Sequence, residues 1–391
     1  TIYALICVVA IILGYYRGEL QIDTLTTLLG RIISAGELMI AFFLIYNQKN
    51  NKLKTPIKSI YLRNAFFFFW LISNLIYFSK TATLNLNVGF IVLILTLLSV
   101  RVSDKTLKSL IMLTALYNFL ICILSLFFMK FGMGYSVDQE YFKVSDIGIR
   151  LQGLTQHANT LGAIALLVII YALIENKGII RVVGACIGGF TLYYTQSKTN
   201  IYIVLIIFIA LMTDKLFKWS KRISSKKLTV SFVVVVLGIV LLANFGVIAI
   251  DTTFTGRSAV WIKAYQQWKI SPASILFGIQ SEIYLENMYL DALFRYGIVG
   301  LVSFVYLLFI MGNIAWSGIK AGHKTSFYLY IVVLLRCMTE SIFINTNMGF
   351  GDFFTLVILI SIEGIYERGR LNSNENCIIN ADNAIRTSTI I

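Results

Sequence analysis

Apolar residues in this chain come in long unbroken runs, not in the alternating or one-face patterns of a soluble core. They recur from one end to the other. Twelve runs stand out: Ile2 to Gly14, Leu25 to Tyr46, Ile60 to Phe78, Leu86 to Val100, Leu107 to Phe131, Ala158 to Leu173, Val182 to Tyr194, Ile201 to Thr213, Val230 to Ile250, Tyr289 to Ile310, Phe327 to Phe343 and Phe353 to Tyr366. A helix needs about 20 apolar residues to cross about 30 Å of hydrocarbon, and most of these runs approach or meet that length. The pattern predicts an all-α integral membrane protein of about twelve transmembrane helices. Residues 1–366 form one polytopic domain and 367–391 a tail. The first run is read as a clipped first span and not as a signal peptide, because no basic segment or small-residue cleavage site accompanies it.

Composition strengthens this reading. Of the 391 residues, 58% are hydrophobic and 13% charged, against roughly 25% charged in an ordinary globular domain. A net charge of +14 would suggest nucleic acid in a soluble protein, but the basic residues fall in short loops between apolar runs, so no nucleic-acid partner is expected. Their placement alternates. Lys49, Lys52, Lys54, Lys58, Arg101, Lys105, Lys108, Lys177, Arg181, Lys215, Lys218, Lys221, Arg222, Lys226, Lys227, Lys320, Lys324, Arg368, Arg370 and Arg386 lie on one side. Only Arg17, Lys80, Lys143, Arg150, Lys198, Arg257, Lys263 and Lys269 lie on the other. By the positive-inside rule the richer side is cytoplasmic, which puts both termini inside.

Two outer loops, about Gly132 to His157 and Asp251 to Met288, are longer than a helix connection requires, and long loops in compact folds usually carry function. In the second, Val260, Trp261, Ala264, Tyr265 and Trp268 share one helical face, with Thr255 as cap and Pro272 as stop. The stripe predicts a helix lying in the outer headgroup region with its aromatics at the interface; an amphipathic helix packed on the bundle is the alternative.

Soluble-nucleotide chemistry finds no footing. No phosphate-cradling GxxxxGK[ST], strand-linked GxGxxG or GxSxG occurs. His157 and His323 fall on opposite predicted faces and no outer carboxylate cluster has metal-ligand spacing, so neither a metal nor another cofactor is expected. Cys7, Cys122, Cys186 and Cys337 lie within apolar runs and Cys377 in the tail, without a disulfide framework.

Three polar constellations interrupt the apolar background. Arg150 to Gly162 ends the first long loop, where Arg150 offers a charged fork suited to phosphate and Asn159 is placed to cap a helix. A routine cap beside a headgroup-level arginine reads the same residues equally well. Thr255-Gly-Arg-Ser-Ala-Val-Trp261 places Arg257 at the start of the loop helix, where an arginine also serves to bind lipid headgroups. Glu286, Asn287 and Asp291 open the tenth span, either as a polar helix end or with a carboxylate able to accept a hydroxyl proton. Deeper still lie Arg31 and Glu37, and Arg336 and Glu340. The second pair, spaced i, i+4, is most simply a private ion pair.

In this order the patterns resemble the O-antigen ligase and polymerase (Wzy-type) family of bacterial envelope glycosyltransferases. The resemblance covers about 150–364 and is carried by Arg150, Gly153, Asn159 and Gly162, by Ser197-Lys198, by Thr255, Gly256, Arg257 and Trp261, by Pro272 and Gly278, and by Asn287, Leu290, Gly297, Gly300 and Leu301. Lys198 stands where the family has arginine, and Glu286 where the ligases have histidine; the latter favours polymerase over ligase. The resemblance implies a GT-C-like membrane fold with a large extracytoplasmic loop, about 251–288, before the tenth helix. It implies a polysaccharide (O-antigen or capsule) polymerase in the bacterial cytoplasmic membrane, acting on undecaprenyl-diphosphate-linked oligosaccharides at the outer face. Arg150 and Arg257 would be the leaving-group cations and Glu286 the proton acceptor. Lys198, Asn159, Asn287, Glu282 and Trp261 would line the substrate site, and a chain-length regulator is an implied partner. The rival readings are an O-antigen ligase and, from another class, a lipid-linked oligosaccharide flippase.

Overall fold

A computed structural model describes residues 57–81, 104–129, 135–136, 150–153, 158–175, 177–218, 224–244, 257–279, 285–320 and 324–340. The expected spans Ile2 to Gly14, Leu25 to Tyr46, Leu86 to Val100 and Phe353 to Tyr366 lie outside the described residues, as do Arg31, Glu37, His157, Glu282, His323 and the tail.

The described chain is mostly helical. Its long helices are α1 (Ile57–Thr81), α2 (Asp104–Met129), α3 (Ala158–Glu175), α4 (Gly178–Thr195), α5 (Lys198–Phe217) and α6 (Ser225–Asn244). They are followed by α7 (Arg257–Trp268), the short α8 (Pro272–Phe277), α9 (Gly297–Lys320) and α10 (Thr325–Cys337). Except for the tenth, the expected spans fall largely on helices where their residues are described. Among those residues, four stretches are long and apolar enough to cross a membrane: Ala158–Glu175, Gly178–Thr195, Lys198–Phe217 and Gly297–Trp316.

Burial shows which solvent these helices meet. The stripe Asn200, Ile203, Ile207 and Asp214 of α5 faces inward, while Tyr202, Leu205, Ile206, Phe208, Ile209 and Met212 are exposed. Helix α4 likewise buries Gly184, Gly188, Thr191, Leu192 and Thr195 and exposes Ile180, Val182, Val183, Phe190 and Tyr193. Continuous apolar exposure on this scale is the surface of a protein solvated by lipid. At the opposite extreme, every residue of α10 is buried, which makes it the central helix of the described bundle. It packs on α3, α5 and α9, and α9 in turn packs on α1, α6 and α8.

Lipid supplies little hydrophobic drive between helices, so close packing has to do more. The tightest pair is α3 against α4, where a Cβ on Gly184 would lie 2.9 Å from the Ala172 Cβ and one on Gly188 only 2.7 Å from the Ile169 Cγ1 and 3.0 Å from the Ala165 carbonyl oxygen. These two glycines, four residues apart, let the backbones meet. Gly189, on another face, has open space around it.

Three features depart from the expected spans. The first long loop closes on a short antiparallel pair, β1 (Tyr135–Ser136) with β2 (Arg150–Leu151), which sets Arg150 opposite Ser136. The tenth span is not one helix. It starts as a single turn, Met288–Leu290, widens into a π-helical turn, Asp291–Arg295, and resumes as α9 after Tyr296. Gly297 marks the break: at φ +70 its Cβ would lie 2.1 Å from the Leu276 carbonyl oxygen, so only glycine lets α8 approach there. The third departure is α7, whose Trp261 and Ala264 are buried while Tyr265 and Trp268 pack against Phe294. The aromatic stripe faces the bundle, so the headgroup placement is set aside for the packed one. Periodicity defines a face but not its neighbour.

Gly188→Ile is expected to destabilise the detergent-solubilised protein by about 1–3 kcal/mol through overpacking, whereas Gly189→Ala, in open space within the same helix, should keep or slightly raise its melting temperature. Equal melting temperatures for the two variants would refute the close α3–α4 contact.

Candidate functional site

The site is built around two buried guanidinium groups and the polar turn between them. Arg150, on β2, is 9% exposed. Its Nε donates to the Thr195 carbonyl at the end of α4 (3.0 Å), and its Nη2 donates to the Asn159 Oδ1 in the first turn of α3 (2.7 Å). The same Asn159 oxygen accepts from the Ser197 hydroxyl (3.1 Å). The amide expected to cap its own helix thus joins three segments instead.

Asn200, fully buried one turn into α5, carries the connection onward. Its Nδ2 donates to the Asn159 carbonyl (3.1 Å) and to the Ser197 Oγ (2.8 Å), and its Oδ1 accepts from Arg336 Nη1 (3.1 Å). Arg336, near the end of α10, reaches both Glu340 carboxylate oxygens at 3.4 Å. The ion pair expected from the i, i+4 spacing is therefore present, but it is not private. A run of contacts of 2.7–3.4 Å links Arg150 to Glu340 across α3, α5 and α10. Hydrogen bonds to charged groups contribute about 1.5–3 kcal/mol each. A buried guanidinium needs such partners to offset its desolvation.

Glycine makes room for this turn. A Cβ on Gly162 would lie 2.8 Å from the Asn200 Nδ2 and 2.9 Å from the Ser197 Cβ. Gln196, at φ 49, makes the tight connection from α4 to α5.

The loop before the π-turn docks on the same end of α10. Asn287 caps the Met288–Leu290 turn by accepting from the Leu290 N–H (3.1 Å), and its Nδ2 donates to the Met338 carbonyl (2.8 Å), two residues before Glu340. The Tyr289 hydroxyl donates to the Leu334 carbonyl (3.1 Å). On the other side of Glu286, the Trp261 indole donates to the Leu285 carbonyl (2.8 Å). Glu286 itself is half-buried with φ 49, a left-handed conformation unusual for a side-chain-bearing residue. Lys80, at the end of α1, fastens the π-turn by donating to the Ile279 (2.9 Å) and Arg295 (2.5 Å) carbonyls. Burial, with the Arg295 charge as a second cause, lowers its ammonium to about 8.

Of the residues expected from sequence, Arg150 and Asn159 thus share one network, and Asn287 and Trp261 hold the Glu286 loop against it. Arg257 opens α7 one turn before Trp261 and on its face; its side chain lies outside the described residues, and so does Glu282. Lys198 is exposed at the start of α5, whereas its neighbours Ser197 and Asn200 are buried in the network. Asn200 and Thr195 were not singled out from sequence. The signal available was the polar run Thr195-Gln-Ser-Lys-Thr-Asn200 between two apolar spans, with Ser197 and Asn200 on one face at i, i+3.

Compared with models of known protein families and with curated proteins, the chain matches none.

Asn200→Leu takes an acceptor from Arg336 and a donor from Asn159 and Ser197. It is expected to lower stability by about 1–3 kcal/mol, read by thermal unfolding in detergent. Lys198→Ala is expected to leave the same measurement unchanged. A neutral Asn200→Leu would show that the network does not hold the helices together.

Proposed function

We propose that this protein is a membrane glycosyltransferase of the polysaccharide-polymerase type. In this reading it joins undecaprenyl-diphosphate-linked oligosaccharide units at the outer face of the bacterial cytoplasmic membrane, transferring the growing chain to the non-reducing end of a new unit. The observation that carries the proposal is the gathering of Arg150, Asn159, Asn200, Arg336 and Glu340 in one polar network at one end of an apolar bundle, with the Glu286 loop docked beside it. Such a network brings cations and carboxylates together at an edge of the lipid-solvated region, which suits a substrate with a lipid tail, a diphosphate and a sugar.

The chemistry follows from the charges. The leaving diphosphate gains negative charge as its bond to the sugar breaks, and Arg150 with Arg257 supplies the compensating charge. The attacking sugar hydroxyl loses a proton to a carboxylate, with Glu286 as the sequence candidate and Glu282 in reserve. Energy comes from the donor's own diphosphate bond, so the proposal includes no nucleotide, metal or other cofactor. Both termini are assigned to the cytoplasm, and a chain-length regulator is an implied partner. Lys198 belongs to this reading only as a surface cation at the rim.

Deleting the gene should remove long-chain polysaccharide while single repeat units still reach the outer surface. Units trapped on the inner side would replace this reading with a flippase, and long chains stranded on the carrier lipid would replace it with a ligase. Arg257→Ala and Glu286→Gln should each abolish long chains, seen by gel electrophoresis of extracted polysaccharide, with unchanged protein in the membrane. Normal chain lengths from either variant remove that residue from the mechanism.

A further inference from the structure

Arg336 and Glu340 form an uneven pair. The arginine side chain is 4% exposed and the glutamate 26%, so the cation is sunk among the helices while the carboxylate lies toward the accessible edge. The contacts are uneven too. Arg336 places its shorter bond, 3.1 Å, on the Asn200 amide oxygen, and both of its contacts to Glu340 are 3.4 Å. A carboxylate present only to neutralise the arginine would be expected to be the closer and more deeply buried partner.

Placement adds a second argument. Glu340 ends the chain of contacts that begins at Arg150, and it follows by two residues the Met338 carbonyl on which Asn287 docks. It is therefore linked through the network to Arg150 and lies two residues from the point where the loop that carries Glu286 docks. Its position is also fixed: its backbone N–H donates to the Arg336 carbonyl (2.9 Å), continuing the turn that ends α10. Glu286 sits in a loop with left-handed backbone, held on either side by Trp261 and Asn287. A proton acceptor works best on a rigid support, because small displacements of a reacting group are costly in rate.

We infer that Glu340 is the carboxylate that takes the proton of the acceptor sugar hydroxyl, with Glu286 binding the same sugar from the facing loop. The inference rests on the polymerase reading. In the step, the hydroxyl proton passes to the Glu340 carboxylate while the hydroxyl oxygen forms a bond to the anomeric carbon of the donor chain. The bond from that carbon to the diphosphate oxygen breaks, and its electron pair leaves with undecaprenyl diphosphate. Glu340 afterwards releases its proton to water.

The test separates this role from a structural ion pair. Full-length Glu340→Gln, Glu340→Asp and the neutral double variant Arg336→Gln/Glu340→Gln are expressed in cells lacking the native gene. Polysaccharide chain length is read on gels and normalised to protein in isolated membranes. Glu340→Gln strands a buried guanidinium, so its defect alone has two explanations; the double variant removes both charges and relieves that cost. The expected result is that the double variant accumulates in the membrane like the native protein yet polymerises about 100-fold or more slowly, while Glu340→Asp keeps part of the activity. Native chain lengths from the double variant would overturn the role of Glu340 alone. If removing the whole protein leaves chain length unchanged, the polymerase reading itself fails, whatever Glu340 does.

Discussion

Charge buried in a lipid-solvated bundle has to be answered by the protein, because no water is at hand to answer it. Here that constraint falls on Arg150 and Arg336, 9% and 3% exposed. Arg336 pairs with Glu340, and both arginines also bind neutral groups. These are a carbonyl and the amides of Asn159 and Asn200. Because those amides belong to different helices, satisfying two arginines also fixes α3, α4 and α5 against α10. The folding problem and the placement of the candidate chemistry thus have one solution.

The opposite end of the central helix shows the same principle in a plainer form. Lys324 pairs with the buried Asp214 at the end of α5 (2.7 Å), Thr325 donates to the Glu175 carboxylate at the end of α3 (2.5 Å), and the hydroxyls of Tyr330 and Thr229 join α10 to α6. Helix α5 is therefore fastened to α10 at both ends, by Asn200–Arg336 and by Asp214–Lys324, with an apolar stretch between. Apolar surfaces alone permit two helices to slide past one another by a turn. Two polar locks at fixed separation admit one register, since any slip leaves buried charges unpaired at both ends.

Much of this architecture could be read from the sequence because its main signals are local. Run length marks Ala158 to Leu173 as a span, and i, i+4 spacing marks Arg336 with Glu340. The missed features depend on distance. Asn200 meets Arg336 across 136 residues of sequence, and nothing near Asn200 announces that partner. The aromatic stripe of α7 has the same period whether it faces lipid or protein, and only the position of Phe294 decides between them. The π-turn at Asp291–Arg295 and the approach of α8 to Gly297 likewise leave the hydropathy of the run unchanged. Where Arg257 and Lys198 matter to the chemistry, the reading stays with the family resemblance.

The Glu286 loop joins these strands of argument. A side-chain-bearing residue at φ 49 costs about 1–2 kcal/mol relative to ordinary backbone, and a glycine would adopt that conformation freely. The strain is held in place by the bonds on either side, Trp261 to the Leu285 carbonyl and Asn287 to the Met338 carbonyl. Each clamp comes from a different part of the fold, one from the large loop and one from the central helix. A carboxylate kept at a position where backbone geometry favours glycine, and pinned from both directions beside the Arg336–Glu340 pair, is better explained by what the side chain does than by what the chain needs in order to turn.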